Sequence, residues 1–171
     1  MDIVISPGSR NAPLINTFTA AAGFRCLNIV DERSAAFFAM GMAMQLRRPV
    51  ALVCTSGSAI LNYAPAIVEA YYQKIPLLVL TADRPAAWID QGDGQTIRQE
   101  NIYANFIKAA YNLPARIATD EEVWFVARQI NEACHRLLDP EPGPVQINVP
   151  FNEPLYELVE DSLPEIKNIE V

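Results

Sequence analysis

The sequence predicts an α/β fold, a three-layer α/β/α unit around a mainly parallel central sheet, on three observations. Apolar, strand-like runs alternate with helical segments along most of the chain, the order of a parallel sheet with helices on both faces. The runs at 50–54 and 76–81 are apolar at successive rather than alternate positions, which suits strands covered on both sides. Polar loops rich in Gly, Ser and Pro separate the runs, supplying the turns between layers.

Taken in order, residues 3–6 form the first strand, followed by the loop Pro7-Gly8-Ser9-Arg10 and a helix over 12–22. Residues 24–30 form the second strand. The most apolar helix of the chain begins at Asp31 and runs to 46, with Asp31 a good N-cap and Glu32 a first-turn acid. Residues 50–54 are the third strand, then Thr55-Ser56-Gly57-Ser58 and a helix over 59–73, which Pro65 is expected to bend or delay. Residues 76–81 are a fourth buried strand. The polar loop 82–98 is longer than connections usually are without a function. A short helix over 100–106 and an extended stretch over 108–112 follow. A helix over 120–138 is capped by Thr119 or Asp120, and a turn at 141–144 leads into a last strand over 145–149.

With 171 residues the chain can bury one sizeable core. Half of the residues are hydrophobic (51%) and 19% are charged, as in soluble globular proteins. A formal net charge of -7 argues against a nucleic-acid or membrane partner, although a few placed arginines can still take an anionic substrate. Cys26, Cys54 and Cys134 are odd in number and lack CxxC spacing, so they read as small core residues in a reducing compartment. The apolar run 35–44 is too short for a bilayer and suits a buried helix. Met1-Asp2 leads straight into Ile3-Val4-Ile5 without a signal peptide, so a cytoplasmic location is expected. Beyond residue 150 the pattern fades. The expected organisation is one domain over 1–150 and a linker over 151–171 toward a further domain.

In a parallel sheet the loops after the strands gather at one edge, where open α/β sheets place their chemistry. Pro7-Gly8-Ser9-Arg10 brings backbone N–H groups, a hydroxyl and a guanidinium to a helix start, a good anion site, and equally a tight turn capped by Ser9 or Asn11. Thr55-Ser56-Gly57-Ser58 lets a flat ligand approach the backbone, or simply caps the next helix. The long loop holds Arg84, Gln95, Arg98 and Gln99. Gly92-Asp93-Gly94 lies in polar loop and is set aside as a metal–diphosphate motif. His135 is a helix-end residue, and Trp88 and Trp124 read as packing residues. Neither GxGxxG nor GxxxxGK[ST] occurs, so dinucleotide and P-loop readings lack support.

Residues 5–14, Asp31-Glu32-Arg33, residues 55–59, Thr81-Ala82-Asp83-Arg84-Pro85 and Gln95-Thr96-Ile97-Arg98-Gln99 together resemble the pyrimidine-binding domain of thiamine-diphosphate enzymes. Among those enzymes they resemble the menaquinone-pathway synthases, over residues 3–150. The resemblance implies that Glu32 is catalytic, hydrogen-bonding N1′ of the cofactor's aminopyrimidine, and that Thr55, Ser56 and Gly57 lie at its pyrimidine end. Ser9, Arg10, Arg84 and Gln95 would face the acceptor isochorismate. The implied reaction decarboxylates 2-oxoglutarate and adds the succinyl unit to isochorismate. It would use thiamine diphosphate with Mg2+ or Mn2+, whose ligands lie in a diphosphate-binding domain outside this chain. That domain would come from a partner subunit in a homodimer or homotetramer, so the chain alone is expected to be inactive. Some relatives have Asn where this chain has Gly94, and the family's helix before the first strand has no counterpart. Two other readings stay open. One is a stand-alone pyrimidine-domain subunit of a two-chain, sulfopyruvate-like 2-oxo-acid decarboxylase; the other is a non-catalytic anion-binding domain.

Overall fold

The computed structural model describes residues 1–156; within the expected linker, residues 157–171 lie outside the described part. Six parallel strands form one sheet: β1 (Asp2–Ile5), β2 (Arg25–Asn28), β3 (Val50–Cys54), β4 (Leu77–Asp83), β5 (Ala109–Asn112) and β6 (Val145–Pro150). Their order across the sheet is β2-β1-β3-β4-β6-β5. The chain steps from β1 to β2 on one side, then returns past β1 to place β3 on the other. The direction reverses between β1 and β3, and at such a switch point the strand-end loops diverge and leave a crevice.

Alternation along each strand sorts the core into two layers. Ile3, Ile5, Ala51, Val53, Leu78 and Leu80 face one side and pack with helices α1 (Ala12–Ala20) and α5 (Asp120–Arg136). Val4, Leu52, Cys54, Leu77 and Val79 face the other, under α2 (Glu32–Leu46), α3 (Ser58–Asn62) and α4 (Ala64–Tyr72). Each face of the sheet thus removes its apolar side chains from water against its own helical layer, at about 25 cal/mol per Å² of apolar surface.

The expected elements largely form, with informative differences. The expected 59–73 helix is two helices, because Pro65, in the first turn of α4, cannot donate a backbone N–H and the chain restarts at Tyr63. The expected helix at 100–106 is instead a string of turns. Asn101 takes a left-handed conformation (φ 55°), and bonds such as Ala104 N–H to the Asn101 carbonyl close only three-residue steps. The apolar α2 is buried along one stripe, Ala35, Ala36, Ala39 and Ala43, at helical spacing. Its other face leaves Phe37, Phe38 and Met44 exposed, so the expected buried helix is half-buried in this chain. Trp124 is likewise exposed on α5 rather than packed.

Candidate active site

The loops after β1 and β3 meet at the switch point. A Cβ on Gly8 would come within 2.5 Å of the Thr55 side chain, so only glycine lets the first loop lie this close. The Arg10 N–H donates to Thr55 Oγ1 at 3.3 Å. Asn11 ties the loop to itself: its Nδ2 donates to the Ser6 carbonyl at 2.9 Å, and its Oδ1 accepts from the Gly8 N–H at 2.9 Å. The capping role expected of Ser9 or Asn11 is absent; Asn11 is the α1 N-cap residue but makes no side-chain cap bond. Ser9 is exposed.

The turn after β3 is held from the far side. Gly57 has φ +81°, and a Cβ there would meet the Gln95 backbone at 2.6 Å. Ser56 Oγ donates to the Gln95 carbonyl at 3.0 Å, and the Gly57 N–H donates to Gln99 Oε1 at 2.8 Å. Gln99, fully buried, passes these contacts on by donating from Nε2 to the Ala82 carbonyl and to Asn148 Oδ1. Asn148 also accepts from Thr81 Oγ1 and donates to Asp83 Oδ2 and Asn112 Oδ1, so its amide is saturated.

Glu32 opens α2 beside this turn. Asp31 is the N-cap and accepts from the Ser34 N–H at 2.8 Å; the Ser34 hydroxyl first, and this backbone bond second, hold its carboxyl below the usual range. Glu32 is partly buried and accepts from Asn62 Nδ2 at 3.3 Å. Two groups beneath it register its charge. Burial pushes the Cys54 thiol and the Tyr63 hydroxyl well up, and Glu32 adds to both shifts. Tyr63 is fully buried and donates to the Val53 carbonyl at 3.0 Å.

Arg10 and Arg84 come together on one cavity of about 460 Å³. The Arg10 guanidinium, 7% exposed, donates to the Phe151 carbonyl at 3.2 Å and to Glu153 at 2.9 Å. Arg84 Nη1 lies 3.6 Å from Asp93 Oδ2, and its buried Nε has no partner among the described residues. Trp88, expected to pack against the domain, is more than half exposed and lines the same cavity. Ser9 and Gln95 do not line it; Gln95 is exposed and contributes backbone to the turn below. A second cavity of about 590 Å³ lies beyond Arg84, over Asp83, Asn112 and Asn148. His135, in the last turn of α5, faces Asp139 at 3.9 Å and takes no part in the site. No group of three or more His, Cys, Asp or Glu among the described residues could hold a metal ion. No helix among them is long and apolar enough to cross a membrane.

Sequence reasoning missed Asn11, Tyr63, Gln99 and Asn148 as the residues that hold the loops. Gln99 stood in a motif already singled out, but nothing local distinguishes it from Gln95. A fully buried Tyr in an apolar helix carries a weak signal, since its hydroxyl must find a partner.

Residues 1–102 match the family of the thiamine pyrophosphate enzyme, N-terminal TPP binding domain. Curated relatives named 2-succinyl-5-enolpyruvyl-6-hydroxy-3-cyclohexene-1-carboxylate synthase are similar over most of the chain. The protein of Flavobacterium psychrophilum is 58% identical over 92% of this chain and 28% of its own length. That of Desulfotalea psychrophila is 55% identical over 94% and 30%. That of Bacteroides fragilis is 50% identical over 98% and 30%. The chain therefore spans about three tenths of the length of these relatives.

Proposed function

The chain belongs to the thiamine pyrophosphate enzyme family, through its N-terminal TPP binding domain, and on that premise we propose that it is the amino-terminal part of a menaquinone-pathway synthase. The whole enzyme decarboxylates 2-oxoglutarate and adds the succinyl unit to isochorismate. The observation that carries this reading is the placement at one sheet edge of a helix-start glutamate, a Thr-Ser-Gly turn and a cavity lined by two arginines. Isochorismate is a dicarboxylic acid, and two guanidiniums on one cavity match its two anionic groups.

The donor set fits the pyrimidine end of thiamine diphosphate. When bound, the cofactor supplies a nucleophilic carbon and an electron sink for decarboxylation. Glu32 would hold a proton against the ring nitrogen at N1′, and the Thr55–Ser56–Gly57 turn would lie at the pyrimidine end. Arg10 and Arg84 would bind and orient the acceptor; Ser9 and Gln95, which do not line this cavity, would meet it only from outside it. A proton-sharing carboxyl works best away from water, and Glu32 is only partly covered by this chain. The exposed Phe37, Phe38 and Met44 continue from it along α2, which supports a covering domain from a second subunit of a homodimer or homotetramer. That domain would carry the diphosphate and its Mg2+ or Mn2+. Three unpaired cysteines accord with a cytoplasmic setting. Sulfopyruvate also carries two anionic groups, so the arginine pair suits the decarboxylase-subunit reading as well; the 50–58% identity to relatives named as the synthase, over 92–98% of this chain, is what weighs against it. Glu32 weighs against a non-catalytic anion-binding domain.

The test uses the full-length enzyme. Glu32→Gln is expected to lower kcat by about 10²- to 10⁴-fold, the usual range for a lost proton-transfer group, with the fold retained by circular dichroism. Near-normal turnover would remove Glu32 from the proton relay. Arg10→Ala is expected to raise the KM for isochorismate and to spare decarboxylation of 2-oxoglutarate; equal loss of both half-reactions would count against the acceptor assignment.

A further inference from the structure

Each guanidinium of the arginine cavity already faces a carboxylate from this chain. Arg10 Nη2 donates to Glu153 Oε1 at 2.9 Å, and Arg84 Nη1 lies 3.6 Å from Asp93 Oδ2. Burial is unequal within the pairs. The Arg10 side chain is 7% exposed and Arg84 24%, whereas Glu153 is 68% and Asp93 38% exposed. Arg10 also keeps a second partner, the Phe151 carbonyl, and its loop is fixed by the Asn11 and Thr55 contacts. Glu153 follows the last strand, and Asp93 sits in the long loop after β4. The cations are therefore fixed in the wall of the cavity, and the anions reach them from its solvent side.

Two cations and two anions make the cavity formally neutral. A dicarboxylate entering without displacing the acids would place like charges side by side, which opposes binding. Exchange removes that obstacle. The two acids turn into water, where carboxylates are well solvated, and the ligand's carboxylates take their positions on Arg10 and Arg84. We infer that Glu153 and Asp93 are internal competitors for the acceptor's carboxylates, holding both guanidiniums while the cavity is free and setting how tightly a dianionic acceptor binds. The inference rests on the proposed reading of this cavity as the acceptor site, and it adds two affinity-determining residues to that site.

The experiment measures KM and kcat for isochorismate, at saturating 2-oxoglutarate, in the full-length enzyme and in its Glu153→Gln, Asp93→Asn, double and Arg10→Ala forms. Exposed ion pairs are weak, so Glu153→Gln is expected to lower the isochorismate KM by about two- to fivefold. Asp93→Asn, whose pair is longer, should lower it less, and the double variant should approach the product of the two. A KM that stays or rises in both single variants overturns the inference, since acids that only orient the arginines give a rise. Arg10→Ala separates the two levels. If it leaves the isochorismate KM unmoved, the acceptor reading itself fails. If it raises that KM while the acid variants do not lower theirs, the competitor role alone is overturned.

Discussion

Asp83 ends β4 with its carboxyl buried in the wall of the cavity of about 590 Å³, accepting from Asn148 Nδ2 at 2.7 Å and from the Arg84 N–H at 2.8 Å. Burial pushes its pKa above the ordinary value, and the two hydrogen bonds and the Arg10 charge offset part of that rise. Its proton is therefore held to higher pH in the folded chain than in the unfolded one. Between the ordinary carboxylate pKa and the raised one, the folded state binds more protons, so stability falls as pH rises through that window. Asp83→Asn removes the titration. It also turns an amide N–H₂ toward one of two donors, so the variant starts with a fixed loss. The expected outcome is that the stability difference shifts in favour of Asp83→Asn as pH rises from below 4 toward neutrality, read from denaturant unfolding at several pH values. A difference independent of pH would show that Asp83 keeps an ordinary affinity for its proton. None of this was legible in the sequence, where Asp83 belonged to a loop motif; its register opposite Pro150 at the end of a buried strand determines its environment.

The strands and helices were legible because periodicity and turn residues report them directly. The third strand lies where its apolar run predicts, and Asp31 and Thr119 cap α2 and α5 as their residue types suggest. The long loop was not legible, since tertiary contacts shape it. Tyr103 donates to the Ile60 carbonyl and Ile107 enters the core, fixing turns where helix-forming residues stood. The same loop is joined to the turn after β3 and to β6 through Gln99. Two substitutions separate this joint from simple polar burial. Tyr63→Phe removes the hydroxyl's bond to the Val53 carbonyl and its long contact with Ser6 Oγ, but the Val53 carbonyl keeps the Ser6 N–H at 2.9 Å and Ser6 Oγ keeps the Ile29 carbonyl, so the expected loss is about 1 kcal/mol. Gln99→Leu strands the Gly57 N–H and takes partners from the Ala82 carbonyl and Asn148, so about 2–4 kcal/mol should be lost. Equal losses in chemical denaturation would mean that the loops are held by apolar packing and not by this amide.

Over the whole described molecule, the six strands align their carboxyl ends so that every loop with a candidate role opens at one edge. The relatives are about three times as long as the part this chain matches, and the proposed function sets this edge against a second domain. In the proposed site the chain would offer thiamine diphosphate a carboxyl at N1′ and a backbone turn, but little for the diphosphate. Its formal net charge is -7, and no metal-holding group of three or more His, Cys, Asp or Glu occurs among the described residues. An anion of several charges approaching an acidic protein without its cation gains little from steering or pairing. The residues for one end of the cofactor therefore do not make a site for the whole. Calorimetric titration of the isolated chain with thiamine diphosphate and Mg2+ is expected to show no saturable binding in the concentration range that saturates the full-length enzyme, and the chain is expected to form no product from 2-oxoglutarate and isochorismate. Tight binding or turnover by the chain alone would overturn the proposal that its site is completed by a second domain.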